Sequence, residues 1–521
     1  MIINRRTFLA LGTGAIAGVT AGCGKQGDVR NSVRRFIGKP TASPLDGPLT
    51  APAAVGIDDV SHVLNRLTFG ARPGDYARVS ALGAKPFIEE QLAARKISDT
   101  LCERVIRHEF ESLGDPESRL FPRKADHRDP LVALFPAMKD RGARVGDLYE
   151  MKEKVLLTDL TRATILRAVL SERQLFEVMV QFWTDHFNVD PSKGECRWLK
   201  AADDRDVIRA HALGSFREMV RASAVSPAML WYLDGRENRR RSSAEKPNEN
   251  YARELMELHT LGVHGGYTQQ DVMEVARCLT GWTCRDKKKF FKGRVEFHSK
   301  DHDDGPKQVL GVDIPAGLGA RDLDRVLEIV TSHPNCAKYV AWKLCRRFIG
   351  DEPPGNAVAA TSRAFLDSKG DIPATLRALF NTTEFWSADA RGAKFKRPFH
   401  FVVSALRASN AETTASSELI EYLQRLGHAP FRYPTPDGYP EEATHWQSTL
   451  LWRWNFAAAL SENRIKGTRI NVDELRERIG GDDALLATIL GRKPGEMERA
   501  AFMEPGAGLA LAIAAPAFQR C

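Results

Sequence analysis

Apolar residues recur at three- and four-residue spacing through most of the chain, and that period predicts helices. Ser171 and Gln174 are spaced as a capping box, after which Leu175, Val178, Met179, Phe182 and His186 fall on one helical face. Thr268 with Asp271 gives a looser version of the same start, followed by Val272, Val275, Ala276 and Leu279 and closed by Gly281. The stretches 147–170, 323–331 and 337–348 carry the same period. Strand signals are scarce: 290–298 and 309–314 hold β-formers around an Asp- and Gly-rich turn, which predicts one small hairpin. The expected fold is mainly α, a large multi-helix array or bundle with a small β-hairpin insertion.

The first residues break this pattern. Arg5-Arg6 precede an apolar stretch at 8–20 that is too short to span a bilayer, so residues 1–23 read as a signal peptide. Asn4-Arg5-Arg6-Thr7-Phe8-Leu9 resembles the twin-arginine export signal. Ala21-Gly22-Cys23 resembles the lipobox of bacterial lipoproteins, with Thr20 where Leu is usual. A lipidated Cys23 would tether the protein to a membrane, since each buried methylene contributes about 0.8 kcal/mol. Simple cleavage near Ala21, with a free periplasmic product, is the alternative. Either way the expected location is the periplasm or cell envelope. Residues 24–56, with Pro40, Pro44, Pro48 and Pro52 and no sustained apolar period, read as a flexible tether. A helical body is expected over 57–521, with a sub-boundary near 410 left open.

Composition narrows the class only slightly. The chain has 521 residues, 43% hydrophobic and 27% charged, which are globular values. The net charge of +8 comes from 75 basic and 67 acidic residues, a thin and mixed excess from which no nucleic-acid binding is expected. Arg239-Arg240-Arg241 and Lys287-Lys288-Lys289 read as solvated loops or as contacts to phosphate or anionic lipid. None of the eight cysteines forms a CxxC pair, so a zinc ribbon or thioredoxin-type site is unsupported. Cys278 and Cys345 sit in apolar helical patterns and are expected as buried thiols.

Chemistry is concentrated in the run from Asn248 to Gly262. On a helix, Asn250, Arg253, Glu254 and Glu257 share one side, while Tyr251, Leu255 and Leu258 share another. Paired carboxylates a turn apart can bind a divalent metal or divide acid and base roles. The same stripe also fits a solvated face with an Arg253 to Glu257 pair. His186 falls on an apolar stripe, where each ring nitrogen needs a partner: a metal, a carboxylate, backbone or water. Glu254, Glu257, His186 and Arg253 are thus the candidate catalytic residues, with His186, Glu254 and Glu257 as candidate metal ligands. They are expected to converge on one pocket walled by Trp183 or Trp282. His302-Asp303-Asp304-Gly305 reads as a polar turn. No GxSxG, P-loop, HExxH or EF-hand pattern occurs.

The run Asn248-Glu249-Asn250-Tyr251-Ala252-Arg253-Glu254, with Glu257-Leu258-His259-Thr260-Leu261-Gly262-Val263, Gly266-Tyr267-Thr268 and Leu279-Thr280-Gly281-Trp282, resembles the bacterial family called domain of unknown function 1800. Phe182-Trp183, His186-Phe187, Lys396-Arg397-Pro398, Pro436-Asp437-Gly438-Tyr439, Trp446 and Pro516-Ala517-Phe518-Gln519 extend the likeness from about Ile57 onward. Ser226 stands where a histidine is expected before Pro227, and the basic Arg236 to Ser243 loop looks like an insertion. The resemblance implies kinship and no particular reaction. The alternatives are an exported, metal- or cofactor-dependent enzyme and a non-catalytic periplasmic scaffold or partner-binding protein.

Overall fold

Helix starts follow the chemistry of the residues that open them. The Thr268 side chain accepts from the Asp271 amide and Asp271 reaches back, so the capping box at the Gln269–Cys278 helix forms as its spacing predicts. His333 caps the Pro334–Phe348 helix by accepting from the Asn335 amide, with Pro334 at the position where its missing N–H costs nothing. Ser226 caps the Pro227–Tyr232 helix and also donates to Asp203 at 2.9 Å, which gives the serine at this position a structural role. The expected box at Ser171 and Gln174 is different. Ser171 Oγ donates to Asp99, and Gln174 Nε2 donates to the Ser171 and Ala168 carbonyls, so the pair links the Val145–Leu170 and Gln174–His186 helices.

The computed structural model describes residues 43, 45, 47–114, 145–242, 245–284 and 293–521. The signal-like segment, Cys23 and Lys287-Lys288-Lys289 lie outside the described residues. Within them stand 22 α-helices and three two-stranded antiparallel sheets, so the protein is mainly α with small hairpins. The expected single hairpin of 290–298 with 309–314 is replaced by two. Val295–Phe297 pairs with Trp282–Cys284, and Lys307–Val309 with Val312–Ile314. Lys307–Val309 meets its partner across the tight Leu310-Gly311 turn, whereas Val295–Phe297 pairs back to a strand that precedes it. Glu412–Thr413 and Thr468–Arg469 form the third pair.

One apolar cluster runs from Leu49 through Phe518. Leu49 is buried and the Lys493 amide donates to the Ala54 carbonyl at 2.7 Å, so the end of the expected tether is docked on the body. Cys102, Cys196, Cys278, Cys336, Cys345 and Cys521 are buried free thiols. Among the described residues no helix is long and apolar enough to cross a membrane.

Candidate functional site

The apolar face of the Gln174–His186 helix carries His186 fully into the interior, where Trp183 meets it edge-on with ring centroids 5.3 Å apart. Trp282 packs instead on Phe297, away from this site. His186 Nε2 lies 3.0 Å from the His259 carbonyl. A carbonyl only accepts, so Nε2 carries the hydrogen and Nδ1 is left as an acceptor. Lys343 Nζ donates to it at 3.0 Å. Burial and the neighbouring Lys343 and His259 hold the His186 pKa well below its usual value, so the ring is neutral.

Lys343 projects from the Pro334–Phe348 helix and is part-buried. Burial lowers its pKa to about 8, against the opposing pull of Asp185, Glu441 and Asp437. Asp437 also acts on Tyr339, Tyr232 and Glu254, so one exposed carboxylate faces all these groups. The loop that carries Asp437 is fixed from several sides. Asn188 donates to the Tyr433 and Thr435 carbonyls at 2.9 and 2.7 Å, and Tyr232 donates to Pro434 at 2.8 Å. Gly438 lies against the Asp185 carbonyl: a Cβ there would sit 2.1 Å from the oxygen, and its φ of +73° is one glycine adopts freely. Beneath, buried Arg397 bridges Asp185 at 2.7 Å and Glu441 at 3.3 Å. Burial acts to raise Glu441, but Arg397, Arg347 and Lys394 override it and hold its pKa at about 2.

The Asn250–Glu254 helix runs directly into a π-helical turn at Leu255–Thr260. Leu261 N to Met256 O at 2.8 Å and Thr260 Oγ1 to Leu255 O at 2.7 Å define the wider winding. Gly262 closes it at φ +82°, leaving room for the Tyr339 ring. Arg253, Glu254 and Glu257 keep their common, partly wet side, whereas Leu258 is part-exposed and His259 is fully buried. His259 has no hydrogen-bond partner for either ring nitrogen among the described residues, and burial drops its pKa to about 3. Arg253 pairs with Glu249 at 3.1 Å and Glu257 at 3.4 Å, the surface arrangement that its spacing allows. Burial and then Glu257 raise the pKa of Glu254, against Arg253.

The sequence candidates therefore fall into two groups. His186 sits on Lys343 and His259, while Glu254, Glu257 and Arg253 line the neighbouring helix, and no hydrogen bond or ion pair joins His186 to either carboxylate among the described residues. Asp437 acts electrostatically on Lys343 in the first group and on Glu254 in the second. Among the described residues no three His, Cys, Asp or Glu side chains are placed to hold a metal ion, and both His186 nitrogens are engaged. Lys343 itself gave no motif signal, since it is one basic residue among Lys338, Arg346 and Arg347 on an amphipathic helix. His302 is a structural residue: Nδ1 meets Thr280 and Nε2 lies 3.2 Å from Asp322. Arg239, Arg240 and Arg241 pair with Glu245, Asp303 and Asp301.

Neither curated proteins nor solved structures give a match to this chain. The family described as "Protein of unknown function (DUF1800)" matches residues 62–520, which takes in every element of the site just described. The chain belongs to the DUF1800 family.

Proposed function

We propose that this protein is an exported envelope enzyme whose reaction is proton transfer at Lys343. The observation that carries this reading is the Lys343 amine, lowered to about 8 and hydrogen-bonded at 3.0 Å to a neutral, buried His186. An amine with a pKa near the working pH is half neutral there and can take a proton from a substrate hydroxyl or acidic C–H. His186 is a positioning residue: its imidazole fixes the Nζ direction while its own Nε2 hydrogen is held by the His259 carbonyl. Glu254, raised in pKa and part-exposed, supplies the complementary proton donor to a leaving or developing anionic group. The carboxylates of Asp437 and Glu257 make the surroundings acidic, which favours a neutral or cationic substrate.

Export rests on the Arg5-Arg6 signal and on Ala21-Gly22-Cys23, with Cys23 as a lipid anchor. Twin-arginine export moves folded chains, which suits a site assembled from distant segments.

NMR titration of isotope-labelled lysine tests the central claim. A Lys343 signal titrating near pH 8 is expected, and one titrating near 10.5 overturns it. In a deletion strain, Lys343→Met is expected to fail to restore function while folding normally. A silent Lys343→Met favours the non-catalytic scaffold.

A further inference from the structure

A cavity of about 470 Å³ opens on the far side of the Gln174–His186 helix, a size within the usual ~300–1,000 Å³ of small-molecule pockets. Its apolar wall is made by Ile106, Phe110, Leu160 and Phe176. Its polar wall comes from the π-helical segment Asp203–Arg209, in which residues five apart align, so Asp204 and Arg209 face the same space.

Most charges here are already satisfied. Arg209 holds Glu177 through two bonds of 2.9 and 2.6 Å, and Arg173 pairs with Glu103 at 3.0 Å. Arg205 binds Asp206 and the Leu113 carbonyl. Asp99 is occupied by Ser171 and the Glu172 amide. Arg167 differs. Its nearest acid among the described residues, Asp204, is 3.9 Å away, and its Nη1 is buried with no hydrogen-bond partner among them. Burial and the neighbouring Arg209 both disfavour its charge. A guanidinium in this position is costly unless an acceptor arrives from outside the chain.

We infer that this cavity binds a small amphiphilic monoanion, a carboxylate head on Arg167 with an aliphatic or aromatic body against Phe110, Phe176 and Leu160. The planar fork of arginine suits a carboxylate, and the apolar wall rewards a tail. The site is separate from Lys343 and does not depend on its chemistry.

Calorimetric titration of the full protein with octanoate, and in parallel with octanol, tests this. Saturable octanoate binding is expected, with octanol weaker by at least about tenfold, the equivalent of ~1.4 kcal/mol. Arg167→Met is expected to bring octanoate down to the octanol level. Because Arg167 has only the long 3.9 Å contact to Asp204 and no hydrogen bond among the described residues, the same variant should unfold at a temperature no lower than wild type. Equal binding of acid and alcohol, no saturable octanoate binding, or a marked loss of stability in Arg167→Met would each overturn the proposal, the last by showing Arg167 to be structural.

Discussion

Gly438 shows how tightly single residues hold the site. Replacing it by alanine drives a methyl into the Asp185 carbonyl and strains a left-handed backbone. Gly480→Ala carries only the second penalty, because no described residue lies within 4 Å of a Cβ there. Denaturant unfolding of the two variants should show Gly438→Ala losing more than about 2 kcal/mol and Gly480→Ala roughly 1 kcal/mol. Equal losses would mean that the loop can retreat from Asp185. Lys343 makes a second prediction at this scale. Between pH 8 and 10.5 the unfolded chain binds a proton that the folded amine has released, so stability rises with pH across that window. Relative to Lys343→Met, wild type should gain up to about 1.4 kcal/mol per pH unit there. Parallel stability curves for the two proteins would contradict the lowered pKa.

The π turn at Leu255–Thr260 is the element that decides which groups enter the interior. Thr260→Val keeps the volume and leaves the Leu255 carbonyl without its hydroxyl partner, so a loss of about 1–3 kcal/mol is expected in denaturant unfolding. No change would show that the winding is held by backbone alone. The same turn explains what the sequence could and could not disclose. A regular 3.6-residue period put Arg253, Glu254 and Glu257 together correctly, because they precede or straddle the turn's start. Past that point the wider winding shifts the register, so Leu258 is turned outward and His259 inward, which periodicity cannot foresee. The long, strongly periodic helices were legible, and the strand partners were not, since β-formers show a strand without its neighbour. Lys343 was hidden because its lowered pKa comes from burial against other segments, which local sequence does not show, and Asp185, Glu441 and Asp437, also distant in sequence, only oppose that shift. The pieces Lys396-Arg397-Pro398 and Pro436-Asp437-Gly438-Tyr439 marked only kinship as sequence, yet in space they supply the bridge and the loop of the site.

At the scale of the molecule, the interior stores neutral histidines. Burial lowers His62 and His259 to about 3 and pushes His186, His400 and His428 well below 6.5. Below pH 6.5 the unfolded chain takes up protons that the folded one refuses, so stability falls as pH drops from 6.5 toward 3. Each such histidine contributes about 1.4 kcal/mol per pH unit, and guanidinium midpoints at pH 7 and pH 5 should differ by more than one group can explain. A difference no larger than that of a single histidine would show that these rings are hydrated.

The Arg397 bridge also has a consequence in time. It joins Asp185 to a residue 212 positions later, and Lys343 meets His186 across 157 positions. Closing loops of that length comes late, after the local helices have formed and at the slow end of folding. Until synthesis has passed Glu441, the nascent chain can form its earlier helices but cannot close the Arg397 bridge. On the proposed reading, proton transfer at Lys343 therefore waits until folding is essentially complete.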